Sequence, residues 1–144
     1  MAGAEPAAGA KAGGAVGAHI LYLEDEAAIA LLYRLALEAA GYRITIAVDA
    51  ASGVAAAPEI RPDLVLVDYH LPDRNGVDVV RALRAEPATR SVPIIILSND
   101  DAPAVIRDAT AAGATEVLTK ILWRPPRLIE ALPGWLGAAP AAGT

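Results

Sequence analysis

The chain has no cysteine, so disulfides and thiolate metal sites are excluded. Lysine is nearly absent. Lys11 and Lys120 are the two in the chain, and scattered arginines carry the rest of the positive charge. The net charge is −5 and no basic cluster exists, so nucleic acid is not an expected partner. No apolar run is long enough to span a bilayer, so no membrane partner is expected either. The N-terminus lacks the basic and apolar regions of a signal peptide, which makes the cytoplasm the expected location.

Apolar residues are plentiful. They make up 55% of 144 residues, enough for one domain with a sizeable core. They are not evenly spread. Residues 1–18 and 137–144 are almost entirely small residues. Such segments cannot offset their ordering entropy by burial and read as flexible tails, leaving a folded unit at 19–136.

Within that unit the apolar period alternates between strand-like and helix-like. Strands are expected at 19–23, 42–48, 63–68, 92–98 and 115–119. Helices are expected at 25–41, with Ile29, Leu32, Tyr33, Ala36 and Leu37 facing inward, and at 50–57, ended by Pro58. Three more follow at 76–86, 102–113 and 125–136, the last cut by Pro133. Five strands alternating with five helices give an α/β, doubly wound (βα)5 fold with a five-stranded parallel sheet. Ligands of such sheets bind beyond the carboxyl ends of the strands.

The residues at those ends form a pattern. Glu24, Asp25 and Glu26 follow the first strand, Asp68 ends the third, Ser98 the fourth, and Thr119 and Lys120 the fifth. Taken singly, each has a local explanation. Asp68 could cap a turn, Glu24 and Asp25 could favour a helix start, and Ser98 could cap a helix. Together they place carboxylates, a hydroxyl and an ammonium on one rim. Clustered carboxylates repel unless a cation neutralises them, and an all-oxygen set suits Mg²⁺. Lys120, the one lysine outside the tail of an arginine-using chain, reads either as a place for a compact ammonium or as a chance surface residue.

The segments "ILYLEDE", "LVLVDYHLPDRNG", "PIIILS" and "GATEVLTK" together resemble the receiver domain of bacterial two-component response regulators over about residues 19–132. The spacings fit as well: 43 residues from Asp25 to Asp68, 30 to Ser98, and 22 more to Lys120. The resemblance implies that Asp68 is the phosphoacceptor, charged by a histidine kinase or phosphotransfer protein. It implies Mg²⁺ held by Asp25, Asp68 and the backbone carbonyl of His70, with Glu24 acting through water. Ser98 and Lys120 would bind the phosphoryl group, and His70 and Asp100 would tune its lifetime. Such a domain is a signalling switch rather than an enzyme, with only autocatalytic phosphotransfer and hydrolysis of its own aspartyl phosphate expected. The helix 4–strand 5–helix 5 face would meet an output protein or, in a homodimer, a second copy. Because no second folded unit follows, the expectation is a stand-alone receiver.

The pattern is incomplete. Members usually carry Pro after the lysine, but here it is Ile121, and a cis bond before it would cost about 3 kcal/mol. Where members place a switching Tyr or Phe, this chain has Val117. Trp123 and Trp135 are expected to fill core beside a remodelled last helix. The alternative reading is a degenerate receiver acting as a phosphorylation-independent interaction module. A phosphohydrolase would need an acid where His70 stands, and a flavin domain a phosphate-cradling loop where the three acids stand.

Overall fold

Leu64 to Val67 offer no polar face, and the sheet places them where none is needed. β3 (Leu64–Asp68) is its central strand and is buried along its whole length. The structure, a computed structural model, describes residues 17–99 and 102–137. Asp100 and most of the two expected tails lie outside the described residues.

Around β3 the sheet runs β2-β1-β3-β4-β5, all parallel. The other strands are β1 (His19–Leu23), β2 (Arg43–Ala47), β4 (Ile94–Ser98) and β5 (Glu116–Thr119). The helices between them are α1 (Ala27–Ala39), α2 (Ala50–Ile60), α3 (Gly76–Ala85), α4 (Pro103–Ala112) and α5 (Pro125–Leu136). This is the doubly wound architecture the alternation demands. β1 and β3 are neighbours with crossovers leaving in opposite directions, so a crevice opens at their carboxyl ends.

Strand alternation sorts the core into two layers. Leu21, Leu23, Val65, Val67, Ile94 and Ile96 pack on α2 and α3. Ile20, Tyr22, Leu64, Leu66, Ile95 and Leu97 pack on Tyr33 and Leu37 of α1 and Leu128 and Leu132 of α5. Each fully buried Leu or Ile contributes about 2 kcal/mol of transfer free energy. The fold starts before His19. Gly17 N–H donates to Gly41 O, and Ala18 is buried in the second layer.

Several local choices differ from the sequence pattern. α2 runs through Pro58 to Ile60, and α5 runs through Pro133 to Leu136. Each proline falls in the last turn, where it removes one backbone donor close to a helix end. Burial of Ala57 in α2, and of Leu128 and Leu132 in α5, holds the helical path. In α1 the buried residues are Ala30, Tyr33 and Leu37, whereas Leu31, Leu32 and Leu35 are more than half exposed. Leu32 therefore faces solvent rather than core. The tryptophans are half-buried at the edge of the second layer. Their ring centroids are 6.0 Å apart, and the Arg127 guanidinium lies 3.9 Å from the Trp123 ring centre.

Candidate functional site

Three side chains of the β1, β3 and β5 ends meet at the carboxyl rim. Lys120 Nζ lies 2.9 Å from Glu24 Oε1 and 3.3 Å from Asp68 Oδ2. Alternation explains the meeting: Tyr22, Leu66 and Leu118 belong to the layer facing α1 and α5, and Glu24, Asp68 and Lys120 each follow by two residues. Asp25 joins them from the loop. Glu24, Asp25 and Asp68 each offer a carboxylate oxygen within 4.8 Å of the others. Glu24 and Asp68 are buried, and Asp25 is exposed.

A buried carboxylate must be paired or hydrogen-bonded. Glu24, 1% exposed, accepts from Tyr22 OH (3.1 Å) and Lys120 Nζ at Oε1, and from Glu26 N–H (3.2 Å) at Oε2. Among the described residues Asp68 has fewer partners, namely Lys120 and a 3.3 Å bond from His70 N–H to Oδ1. Burial pushes its carboxyl up to about 6; Lys120 opposes the rise and the Glu24 charge adds to it. Burial also acts against the charged form of Lys120, yet hydrogen bonding and charge from Glu24 and Asp68 outweigh it and hold the ammonium above its ordinary value. The site thus has excess negative charge on oxygen donors and one fixed cation. That donor set fits a hard divalent ion such as Mg²⁺.

The loop after Asp68 is held tightly. Gly76 N–H donates to Tyr69 O at 2.7 Å, and Asn75 caps α3 by accepting from Asp78 N–H at 3.1 Å. A Cβ on Gly76 would come within 3.1 Å of Tyr69 Cα and 3.4 Å of Asp68 O, so only glycine lets α3 start this close to the strand end. Asp73 reaches across to α2, accepting from Ala50 N–H (2.9 Å) and Ala51 N–H (3.0 Å). His70 is exposed and stands edge-on to Tyr69, with ring centroids 4.8 Å apart.

The remaining candidates are placed as follows. Ser98 is fully buried at the end of β4, beside β3, and its carbonyl accepts from Lys120 N–H at 2.8 Å. The N-cap position of α4 belongs to Ala102, so Ser98 does not cap that helix. Val117 packs against the layer facing α2 and α3, away from the acids. The Lys120–Ile121 bond is trans, since no cis peptide occurs among the described residues. Asp25 and Glu24 do not cap α1, whose N-cap is Glu26 without a side-chain bond. Sequence reasoning missed Tyr22. Its signal was available: a tyrosine two residues before Glu24 in an otherwise aliphatic strand end shares that residue's face.

A family model described as response regulator receiver domain matches residues 20–133. "Probable transcriptional regulatory protein TcrX" of Mycobacterium tuberculosis is 37% identical over 101 residues, covering 70% of this chain and 42% of that protein. The DNA-binding response regulator MtrA of Mycolicibacterium paratuberculosis is 33% identical over 110 residues, covering 76% and 47%. This chain therefore spans less than half the length of these curated relatives. Two are described as transcriptional or DNA-binding regulators, so the expectation of no nucleic-acid partner gains no support from them. Among solved structures, the receiver domain of a sensor histidine kinase from Pseudomonas aeruginosa, with magnesium ion coordinated in its active-site cleft, is 30% identical. It gives a TM-score of 0.78, covering 85% of this chain and 100% of that one. Chemotaxis response regulator CheY4 of Vibrio cholerae gives 0.75 at 28% identity, covering 81% and 97%.

Proposed function

The chain belongs to the response regulator receiver family, and we propose that it takes a phosphoryl group on Asp68 from the phosphohistidine of a histidine kinase or phosphotransfer protein. One observation carries the reading. Asp68 ends the central strand with Lys120 Nζ 3.3 Å away and two further carboxylates within 4.8 Å, an arrangement with little structural purpose unless a cation and an anion are to be received there. In the transfer, Asp68 Oδ attacks phosphorus, the N–P bond breaks, and its electron pair returns to the imidazole.

Asp25, Asp68 and the His70 carbonyl would hold Mg²⁺, with Glu24 acting through water. When bound, the ion supplies charge neutralisation that lets two anions approach. Lys120 would pair with a transferred phosphoryl oxygen, and the Ser98 hydroxyl would hydrogen-bond it. The rigid β3 strand keeps Asp68 in line. His70 would tune phosphate lifetime; Asp100, expected to share that role, lies outside the described residues.

The donor needs a surface to dock on. Leu31, Leu32 and Leu35 on α1 and Ile121 and Leu122 after Lys120 are 53–71% exposed. A groove of about 350 Å³ is lined by Leu32, Tyr33 and Ile121 together with Glu26, Lys120 and Arg124. An apolar face beside the reacting group suits a helical donor protein. Output through the α4–β5–α5 face would have to proceed without a ring at position 117. No helix among the described residues is long and apolar enough to cross a membrane.

Incubation with Mg²⁺ and acetyl phosphate, followed by intact mass, tests the reading. A phosphoryl adduct is expected on the wild type and not on Asp68→Asn. Equal adducts on both, or none on either, would refute it. In that last case the degenerate receiver remains, a module with no Mg²⁺-linked response.

A further inference from the structure

Tyr22 is fully buried, and its hydroxyl has one acidic partner, Glu24 Oε1, at 3.1 Å. The same oxygen accepts from Lys120 Nζ at 2.9 Å, while Oε2 accepts from Glu26 N–H at 3.2 Å. A carboxylate oxygen has two lone-pair directions. Oε1 is thus filled by Tyr22 and Lys120, whereas among the described residues Oε2 accepts from Glu26 N–H alone. The tyrosine cannot easily turn away. It sits on a central strand, and its ring packs at 60° against Tyr33 with centroids 5.5 Å apart.

We infer that Tyr22 is a positioning residue: its hydroxyl aims Glu24 at the cation shell and remains Glu24's partner when Lys120 leaves for a phosphoryl group. The inference rests on the reading of the rim as a Mg²⁺ site. Lys120 cannot serve two anions equally at 2.9 and 3.3 Å once one of them carries a phosphoryl group. A Glu24 left with no partner on Oε1 would be a buried charge half-unsatisfied, which would hold Lys120 back. The tyrosine hydroxyl removes that restraint. It also fixes the carboxylate rotamer before the ion arrives, as outer-shell partners of metal ligands do.

The test is calorimetric Mg²⁺ titration of the full chain in four forms, wild type, Tyr22→Phe, Tyr33→Phe and Asp68→Asn, with melting temperatures for each. Tyr22→Phe is expected to weaken Mg²⁺ binding about tenfold, the lower end of outer-shell effects, while Tyr33→Phe leaves it unchanged. Loss of binding in Asp68→Asn marks the site. A purely structural role for the hydroxyl would lower the melting temperature and leave affinity at the wild-type value, and that result overturns the inference. An equal loss in Tyr33→Phe overturns it as well. If the wild type itself binds no Mg²⁺, the metal reading fails and this inference falls with it. If Tyr22→Phe is unfolded at the assay temperature, Tyr22→Leu replaces it, and native affinity in that variant is again decisive against the role.

Discussion

Lys120 and Glu24 are 96 positions apart in the chain, yet their charged atoms lie 2.9 Å from each other with side chains 12% and 0% exposed. The ammonium is closer to this carboxylate than to Asp68. Breaking a buried pair by removing one partner strands the other, at a cost of about 3 kcal/mol. Lys120→Met should therefore lose about that much stability in chelator and regain part of it when Mg²⁺ is added. Denaturant titrations with and without Mg²⁺ read both quantities. Phosphorylation by acetyl phosphate should slow about a hundredfold, as expected when one preorganised cation is lost from a developing negative charge. Unchanged stability in chelator would mean the contact carries no net energy.

Gly76 sets how closely α3 approaches the phosphoacceptor strand. Its missing Cβ would stand 3.1 Å from Tyr69 Cα, a backbone atom that cannot swing aside. Gly76→Ala should shift the loop by a few tenths of an ångström, costing about 1 kcal/mol and weakening Mg²⁺ binding several-fold. Gly76→Val should do more of both. Calorimetric Mg²⁺ titration alongside thermal melts checks the pair, and an alanine variant with native affinity would show that the loop position is not limiting.

Asp73 joins the loop after β3 to the start of α2 through Ala50 and Ala51 N–H. Those bonds hold its carboxyl below the ordinary value. For a carboxyl with a depressed folded-state pKa, the stabilisation is fully present above the unfolded value of 3.8 and is lost as pH falls through the lower, folded value. Asp73→Ala should therefore melt below the wild type at pH 7, and the gap should narrow as pH drops below 4. Melting curves from pH 3 to 7 test this. A gap that is constant across that range would assign the loss to something other than the ionised carboxylate.

Much of this arrangement is legible in the sequence, and the exceptions have physical causes. The unbroken apolar runs at residues 64–67 and 94–97 read as buried strands, and parallel crossovers then bring Glu24, Asp25, Asp68 and Lys120 to one rim. The helix faces are less legible. "AAIALLYRLALEA" is apolar on nearly every side, so spacing alone could not choose Ala30 over Leu32 as the inward residue. Pro58 and Pro133 read as stops because local propensity is local, whereas burial of Ala57 and Leu132 is tertiary. That Lys120 favours Glu24 over Asp68, and that Tyr22 shares the bond, depends on tenths of an ångström that no spacing encodes.

The leucines that misled the pattern supply the last prediction. Leu31, Leu32 and Leu35 are 54%, 53% and 57% exposed, so more than half of each stays in water after folding. Leu32 lines one groove with Lys120 and with Ile121, itself 71% exposed, and exposed apolar side chains gathered beside a reacting group are of the kind that marks an interaction site. If a donor protein rests there, a charge at its centre must raise the barrier to complex formation and leave the chemistry at Asp68 alone. Leu32→Asp should then keep its melting temperature within a few degrees and accept phosphoryl from acetyl phosphate at the wild-type rate. Transfer from a phosphorylated histidine kinase or phosphotransfer protein should slow about tenfold or more, since a central apolar contact is worth about 1–2 kcal/mol and a buried charge costs more. The small-molecule donor is the control that separates docking from reactivity. Equal slowing with both donors would place the effect in the site itself, and no slowing with the protein donor would move the docking surface elsewhere.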